Sequence, residues 1–464
     1  MGQSLQKFKD ATKRLSKQTL GLAALGLIVA GLVGCQTRPT ARSVQIQLST
    51  WGSAQEVAVL KSLLRDFERS HPQIRVQLLH IPENYYQKLH ILVAGDMAPD
   101  VIFTNSLSFP IYASQGIFRD LRPYLAPGAK NTGASDENSD RVSNGPSEAL
   151  SEAQFYPQAL KAFRWRLPNG QRILGALPRD ISNVVIFYNR DLFRQAGLAE
   201  PRAGWTWEQF REIADRLTVD ANNDGDPDQF GVSFYSTPPL FWLPFVWSAG
   251  GDLFSPDLRR FTLNQAKAVE GLRFYADLRH KWHVAPKKVE SGGTSMSQLF
   301  LQQKVAMLVS GRWSVPVFRE QAKFRWDVVP LPVGPSGQSR VGIDASGYAI
   351  AAKSQHPTES FALIRYLLSR EAVRTVTESG LIVPARPDVA TSAAFLSPHQ
   401  APAHGQAFLD VIPEGVPTHT PPRWNEVAEE LGLALEPVWD GQQDPAMAMA
   451  AVKPKLDALL EVSP

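Results

Sequence analysis

The sequence predicts an α/β protein, and three observations lead to that class. Segments with the period of a strand alternate with segments with the period of a helix, which is typical of a parallel sheet covered by helices. Hydrophobic residues make up 44% and charged residues 20% of the chain, close to the averages of globular domains. The length of 464 residues suits two large domains or about three of average size. The chain can therefore bury an extensive core.

The first strand and helix are predicted directly after residue 43. Val44–Thr50 alternates apolar and polar residues as a half-buried strand does, and Trp51-Gly52-Ser53 interrupts the alternation. Ser53 and Glu56 have the spacing of a capping box, so we expect a helix to begin there. Apolar residues then recur with helical period until His71-Pro72.

Two further strands and one helix complete this first α/β unit. Residues 74–78 alternate as a strand, residues 85–93 predict a helix, and residues 100–104 predict a third strand. Ligands of open parallel sheets bind beyond the carboxyl ends of the strands. Residues 51–53 and 105–106 therefore lie where a ligand is expected.

Later segments repeat the two periodicities, with one exception. The expected elements are apolar runs over residues 173–188, a helix capped by Thr206 and Gln209, a helix capped by Asn264, an extended segment over residues 326–333, a strand over residues 347–352 and a helix over residues 361–368. Residues 127–151 are instead rich in Gly, Ser, Asn, Asp and Glu. This composition predicts a flexible surface insertion.

The first 34 residues have the composition of an export signal. A basic segment ending near Lys17 precedes an apolar run over residues 20–33, which suits a signal-peptide core and is short for a membrane span. Five of the 48 basic residues and one of the 45 acidic residues lie in this leader, which leaves 43 and 44 in the body. Because the body is nearly neutral, we expect no nucleic-acid partner.

Cys35 is the only cysteine of the chain and follows Leu32-Val33-Gly34. This stretch resembles the lipobox of bacterial lipoproteins, in which the cysteine receives diacylglycerol and becomes the mature N-terminus. The resemblance implies a tether over residues 35–43 and a body held at the cell membrane, facing the periplasm or the exterior. The alternative is a free thiol behind an uncleaved anchor. With one cysteine, we expect no disulfide and no cysteine nucleophile in the mature body.

Motifs of common hydrolases do not occur in the sequence. Gly-x-Ser-x-Gly and His-Glu-x-x-His are both missing. His280 and His283 have no acidic third ligand nearby in the sequence, so we do not expect them to bind a metal ion. A glycosidase needs only two carboxylates brought together in space. A lipid-anchored carbohydrate-active hydrolase with a carboxylate pair is therefore the alternative function.

A loop that begins at Asp220 carries several oxygen donors. Its spacing matches the start of an EF-hand calcium loop, and the candidate ligands are Asp220, Asn222, Asp224, Asp226 and Asp228. Position twelve of such a loop falls on Gly231, where a bidentate Glu is expected. A structural calcium ion and a turn rich in Asx and Gly are both left open. No other cofactor is required.

Eleven tryptophans are more than core packing usually needs. A flat indole ring can stack on the apolar face of a sugar ring, and each indole buries roughly 150–250 Å². We expect Trp247 and Trp313 to contact a ligand. The tryptophans expected to pack within the fold are Trp205, Trp207, Trp282 and Trp326.

Three further stretches carry a resemblance to a known family. Residues 94–101, residues 188–210 and residues 306–313, which end in Ser-Gly-Arg-Trp, are similar to the family 1 extracellular solute-binding proteins. Members of that family are the receptors of sugar-type ABC importers. The resemblance implies a two-lobed periplasmic-binding-protein fold, type II-like, in which each lobe is a sheet flanked by helices and hinge strands join the lobes. It also implies binding of one ligand between the lobes without turnover.

The resemblance also divides the chain between the lobes. It assigns residues 44–179 and 333–383 to lobe 1 and residues 180–332 and 384–464 to lobe 2, with hinges near residues 180–184 and 330–333. By similarity, the residues that line the cleft are Ser53, Glu56, Asn105, Ser106, Asp180, Trp247, Trp313, Asp344, Ser346, Arg423 and Trp424. For Glu56, helix capping and ligand contact are equally expected.

The resemblance leaves the ligand partly open. Maltose-type receptors carry charged residues where this chain has Trp51-Gly52-Ser53, so a malto-oligosaccharide is not implied. Aromatic residues and few cations in the predicted cleft favour a neutral di- or oligosaccharide or a glycosylated polyol. Glycerol phosphodiesters and peptides stay open, because one fold hosts many sites. The expected partners are this ligand, the permease subunits of an ABC importer and the membrane, and the protein is expected to be a monomer.

Overall fold

The computed structural model describes residues 43–125, 149–167, 169–397 and 399–461. The predicted signal peptide at residues 1–34, Cys35 with its tether and most of the predicted insertion at residues 127–151 lie outside the described residues. The described part contains two main sheets with helices around them. This confirms the predicted α/β class with two lobes, and we call the parts built on the first and second sheet lobe 1 and lobe 2.

The strands are short and mostly buried. They are β1 (Val44–Thr50), β2 (Ile74–His80), β3 (Val101–Asn105), β4 (Arg164–Arg166), β5 (Arg172–Leu174), β6 (Ala176–Ser182), β7 (Val184–Asn189), β8 (Phe230–Ser233), β9 (Val305–Gly311), β10 (Trp326–Val329), β11 (Asp344–Ile350) and β12 (Val383–Pro384).

The helices vary from one turn to about five turns. They are α1 (Ala54–Ser70), α2 (Tyr85–Ala94), α3 (Phe109–Ser114), α4 (Arg122–Leu125), α5 (Pro157–Lys161), α6 (Arg190–Gln195), α7 (Trp207–Arg216), α8 (Pro239–Ser248), α9 (Ala266–His280), α10 (Met296–Leu301), α11 (Val315–Gln321), α12 (Pro357–Leu367), α13 (Arg370–Glu378), α14 (Pro387–Ala390), α15 (Ala393–Leu396), α16 (Ala407–Asp410), α17 (Trp424–Trp439) and α18 (Pro445–Glu461). None of the helices in the described part is both long enough and apolar enough to cross a membrane.

The first sheet has the strand order β12-β6-β11-β3-β1-β2. Strand β1 pairs in parallel with β2 and β3, as the alternation of strands and helices predicts. Strand β11 returns from far along the chain and pairs antiparallel with both β3 and β6. The beginning of β11 therefore lies beside the carboxyl end of β3.

The second sheet has the strand order β10-β7-β9-β8. Strands β8 and β9 are parallel, whereas β7 is antiparallel to β9 and β10. The three tryptophans expected in the core near this sheet, Trp205, Trp207 and Trp326, are 5–7% exposed. Trp282 is partly buried and packs edge-on against Phe274.

The chain crosses between the sheets at two predicted hinge segments. A single residue, Asn183, separates β6 from β7, and its side-chain NH₂ donates to the carbonyl oxygen of Phe408 at 2.8 Å. The return from β10 to β11 passes through residues 330–343. Residues 180–182, which the resemblance assigns to lobe 2, pair within the first sheet. The assigned lobe boundaries stay predictions.

Local hydrogen bonds explain where several helices begin. The N–H of Glu56 donates to the Ser53 hydroxyl at 3.2 Å, which caps α1 as expected. Thr206 and Gln209 form the complete capping box of α7. The expected cap at Asn264 is wrong, because residues 262–265 form a turn closed by the N–H of Gln265, and α9 begins only at Ala266.

Strand β6 carries one extra residue opposite β11. Ser346 pairs with Asp180 and Gly347 pairs with Pro178, so Arg179 has no partner on β11. Gly347 is required here because a Cβ atom would lie 2.1 Å from a carbonyl oxygen of β6. A bulge of this kind bends the strand and re-aims the side chain of its extra residue.

Candidate functional site

Three polar side chains from distant parts of the sequence form a row across the first sheet. Asn105 at the end of β3 faces Ser346 on β11, and Ser346 faces Asp180 on β6. Because neighbouring strands lie roughly 4.8 Å apart, this register places the three residues side by side. The structure therefore brings together three of the residues that the resemblance placed in the cleft.

Ser106 and Asp344 form a buried polar pair directly beside this row. The hydroxyl of Ser106 donates to the carboxylate of Asp344 at 3.4 Å and accepts the N–H of Ala345 at 3.1 Å. The Asp344 carboxylate also faces Thr418, which comes from the segment before α17. Burial raises the pKa of Asp344 to about 6, although these neighbours favour its charged form.

Arg179 connects the row to helix α1. Its Nη2 lies 2.8 Å from Oε1 of Glu56, and its Nε lies 2.6 Å from Oδ2 of Asp180. The guanidinium group also lies 4.3 Å from the ring centre of Phe103. Burial disfavours the charged guanidinium, but the two carboxylates outweigh burial and raise the pKa of Arg179. Arg179 is thus a charged centre between two carboxylates.

The loop before α1 packs closely against the Glu56 carboxylate. Gly52 has a φ of +123°, and a Cβ atom there would lie 2.6 Å from Oε2 of Glu56. Only glycine fits this left-handed backbone and this close approach. Ser53 caps the helix through its hydroxyl, while the Glu56 carboxylate is directed to Arg179 rather than back to the cap.

An aromatic wall borders the row, and of its residues only Trp51 lies in a segment where the sequence analysis expects a ligand. The Trp51 ring lies 4.3 Å from Phe103, 5.0 Å from Tyr85 and 5.8 Å from Tyr86 between ring centres. The Tyr86 hydroxyl accepts the N–H of Asn105 at 2.8 Å. The position of Trp51 at the end of β1 was the available signal for this wall.

Among the predicted site residues of lobe 2, Trp313 is the exposed one. It lies two residues after the end of β9, and 38% of its surface is exposed. Its ring meets Phe241 edge-on at 6.4 Å and covers Gly311, where a Cβ atom would lie 2.0 Å from the indole. The indole is therefore held from behind and open to a ligand on its outer side.

Trp247 and Trp424 are buried instead. Trp247 is 4% exposed and donates its indole N–H to Asp252 at 2.9 Å. Trp424 is 7% exposed and lies edge-on to Phe254, and Arg423 pairs with Glu426 at 3.2 Å. These contacts hold both tryptophans against protein neighbours, and Trp247, Arg423 and Trp424 stay predictions as ligand contacts.

Trp247 nevertheless approaches lobe 1 through the segment that carries Thr418. A Cβ atom at Gly342 would lie 3.5 Å from the Thr418 hydroxyl and 3.7 Å from the Trp247 ring. Gly342 lies two residues before the start of β11, and Thr418 faces Asp344 at the start of that strand. The segment around Thr418 thus contacts both lobes next to the row.

The Asp220 loop uses its side chains to bind its own backbone. Asp220 accepts the N–H of Gly225, and Asp228 accepts the N–H of Ala221, both at 2.9 Å. The side chains of Asn222 and Asp224 also accept backbone N–H groups of the loop. Among the residues that the structure describes, no three His, Cys, Asp or Glu side chains group as metal ligands. Calcium at this loop stays a prediction.

Comparison with known proteins identifies a matching family. The model of the family described as bacterial extracellular solute-binding protein matches residues 51–374. A galactooligosaccharide-binding protein of Bacillus subtilis is 25% identical over 413 residues, which cover 87% of each chain. An uncharacterized lipoprotein of Streptomyces antibioticus is 23% identical over 360 residues, which cover 75% of this chain and 72% of that protein.

A solved structure shows the same fold. It is an ABC substrate-binding protein from Listeria monocytogenes in complex with cycloalternan, and it superposes with a TM-score of 0.76. The match covers 90% of this chain and 99% of that one at 24% identity.

The Arg179 cluster generates a stability prediction. Replacing Arg179 with Met leaves the buried Asp180 carboxylate and the partly buried Glu56 carboxylate without their shared cation. Breaking a buried ion pair typically destabilises by 3–5 kcal/mol. We expect Arg179→Met to lower the free energy of unfolding by about 3 kcal/mol or more in urea titrations. The matched control is Arg122→Met, because the Arg122–Asp120 pair is more exposed and should contribute less than about 1 kcal/mol. Equal losses in the two variants would contradict the central role of Arg179.

Asp344 generates a pH prediction. Its pKa is raised from 3.8 to about 6, so between these values the folded protein holds a proton that the unfolded chain has lost. The free energy of unfolding therefore falls as the pH rises from about 4 to about 6, by up to about 3 kcal/mol from this group. Asp344→Asn removes the titration. Urea unfolding across this pH range should show the variant gaining stability relative to wild type and levelling off above about pH 6; a constant difference would refute the assignment.

Proposed function

Because this chain belongs to the bacterial extracellular solute-binding proteins, we propose that it is the receptor of an ABC importer for a neutral di- or oligosaccharide or a glycosylated polyol. The observation that carries this proposal is the row of Asn105, Ser346 and Asp180 on lobe 1, together with the exposed Trp313 on lobe 2. Hydrogen-bonding groups on one lobe and a flat aromatic ring on the other suit a sugar, which has hydroxyl edges and apolar faces.

The charges of the cluster favour a neutral ligand. Arg179 is already shared by Glu56 and Asp180, so its positive charge is matched within the protein. Asp344 adds a further carboxyl group to the same edge of the sheet. An anionic ligand would meet more carboxylates than cations here, whereas hydroxyl groups can donate to these oxygens.

The same cluster supports binding without turnover. A glycosidase needs one protonated and one ionised carboxyl group placed on either side of the scissile bond. Glu56 and Asp180 instead both accept hydrogen bonds from Arg179, which suits fixed acceptors for ligand hydroxyls. The Bacillus subtilis relative and the Listeria monocytogenes structure are named for binding, and no observation favours the hydrolase alternative.

We further propose that the body is exported, anchored through lipid on Cys35, and delivers its ligand to permease subunits at the membrane. The lipobox at residues 32–35 and the similarity to a lipoprotein support the anchor. Receptors of ABC importers act together with permeases, which makes permease subunits the expected partners.

Aromatic stacking by Trp313 is tested with a sugar found by thermal-shift screening. The screen is sensitive because a ligand at a hundred times its Kd stabilises by about 2.7 kcal/mol. With the sugar identified, we expect Trp313→Ala to weaken binding by roughly 2 kcal/mol in calorimetry, as for hot-spot aromatics. The control is Trp282→Ala, since that ring is partly buried against Phe274 in lobe 2.

Two outcomes would count against the proposed function. If no neutral sugar or glycosylated polyol in the screen stabilises the protein, the ligand class is wrong. If the identified sugar is cleaved during incubation with the protein, the receptor is an enzyme. Equal affinities of the Trp313 and Trp282 variants would remove Trp313 from the site.

The anchor makes a separate prediction. Intact mass spectrometry of the membrane fraction should find a mature N-terminus at Cys35 that carries diacylglycerol. Cys35→Ala should keep its signal peptide and lose the lipid mass. A mature N-terminus at another residue without lipid would refute this localisation.

A further inference from the structure

Two neighbouring arginines behind Trp313 have no acidic partner. Arg312 directly precedes Trp313 and is 2% exposed, and Arg319 is half-buried on α11. Within the described residues, neither guanidinium group pairs with a carboxylate. The charge that acts on Arg312 is instead the positive charge of Arg319. Two like charges thus lie close together in the interior of lobe 2.

Their hydrogen bonds are also incomplete. Nη2 of Arg312 donates to the carbonyl oxygen of Phe395 at 3.0 Å, and Nε of Arg319 donates to the carbonyl oxygen of Ala401 at 2.7 Å. Three other nitrogens are buried and find no acceptor in the described part of the chain. They are Nε and Nη1 of Arg312 and Nη2 of Arg319.

Aromatic rings enclose the guanidinium group of Arg312. The rings of Phe395 and Phe408 lie 4.3 Å and 5.6 Å from the Arg312 guanidinium group. A glycine borders one free nitrogen, since a Cβ atom at Gly405 would lie 3.6 Å from Nη1 of Arg312. Aromatic rings therefore cover the guanidinium group of Arg312, and no side chain projects from position 405 towards its Nη1.

The unpaired charge and the unbonded N–H groups of the two arginines are energetically unfavourable. Burial and the nearby Arg319 lower the pKa of Arg312 to about 9, so it is still charged at neutral pH. A buried charge without a counter-charge and buried N–H groups without acceptors both destabilise a fold. An anion that accepts one N–H group from each arginine would supply the missing counter-charge and an acceptor at once.

We propose that Arg312 and Arg319 bind a small inorganic anion, such as chloride or phosphate, through one free N–H edge of Arg312, at Nε or at Nη1, and through Nη2 of Arg319. The anion would fix the Arg312 side chain and thereby the turn that carries Trp313. The site is separate from the cleft, and the proposal does not rest on sugar binding.

Thermal unfolding of the purified mature protein tests the proposal without any sugar present. Chloride is titrated against gluconate, which is too large for the site, at constant ionic strength. We expect a saturable rise in Tm of about 2 °C or more with chloride, or with phosphate in a parallel titration. A Tm that is flat, or that changes without saturation, with both anions would overturn the proposal.

Two variants test whether the rise in Tm comes from anion binding at these arginines. Arg319→Met should raise the anion concentration at half-effect at least fivefold, because one donor and one charge are lost. Arg365→Met is the matched control, since Arg365 is also half-buried but lies on α12 in lobe 1, and its anion response should equal that of wild type. An unchanged response in the Arg319 variant would overturn the assignment.

Crystals of the wild-type protein soaked in bromide test anion binding at the two arginines without relying on the folding of a variant. We expect an anomalous difference peak within hydrogen-bonding distance of Nε or Nη1 of Arg312 and of Nη2 of Arg319. A water molecule at that position without anomalous signal would refute anion binding.

Discussion

The geometry of the candidate site depends on the ion pairs that Arg179 forms with Glu56 and Asp180. These contacts join helix α1 to strand β6 at the point where the chain is about to cross into lobe 2. A buried ion pair stabilises only when both partners are present, because either one alone is an unpaired charge. The cluster therefore forms as a unit, and it fixes the loop at Gly52 on one side and the polar row on the other.

The cluster is possible because of one irregularity in the sheet. In a regular ladder, Arg179 would pair with β11, and its side chain would point to the face of the sheet opposite to that of Asp180. The extra residue in β6 removes that pairing, and the absence of a side chain at Gly347 lets the two strands approach at the bulge. Asp180 then returns to register opposite Ser346. One backbone irregularity thus places the cation and leaves the hydrogen-bonding row intact.

Local patterns predicted much of the fold but only part of this site. Alternation and capping predicted β1, α1 and the carboxyl ends of the parallel strands, and hence Asn105 as a site residue. They could not predict Arg179, because a bulge has no signature in the alternation of residues and depends on a strand more than 160 positions away. Nor could they separate Trp247 from Trp313. Both follow apolar runs, and only the tertiary neighbours Asp252 and Thr418 show that Trp247 is covered.

The two lobes contribute different chemistry, and this division limits the ligand. Lobe 1 supplies acceptors and donors whose charges are largely matched within the protein, while lobe 2 supplies an exposed indole supported by Phe241. On binding, hydrogen bonds with water are replaced by hydrogen bonds between ligand and protein, so each contributes only modestly to the net affinity. A polar group left without a partner in a closed cleft, by contrast, weakens binding strongly. The carboxyl groups beside Arg179 and Ser106 already have protein donors, so a ligand of the proposed class needs hydroxyl groups in the right places to share these acceptors. Under the proposed function, the row would then discriminate between ligands more than it strengthens binding, and the indole would supply the contact area.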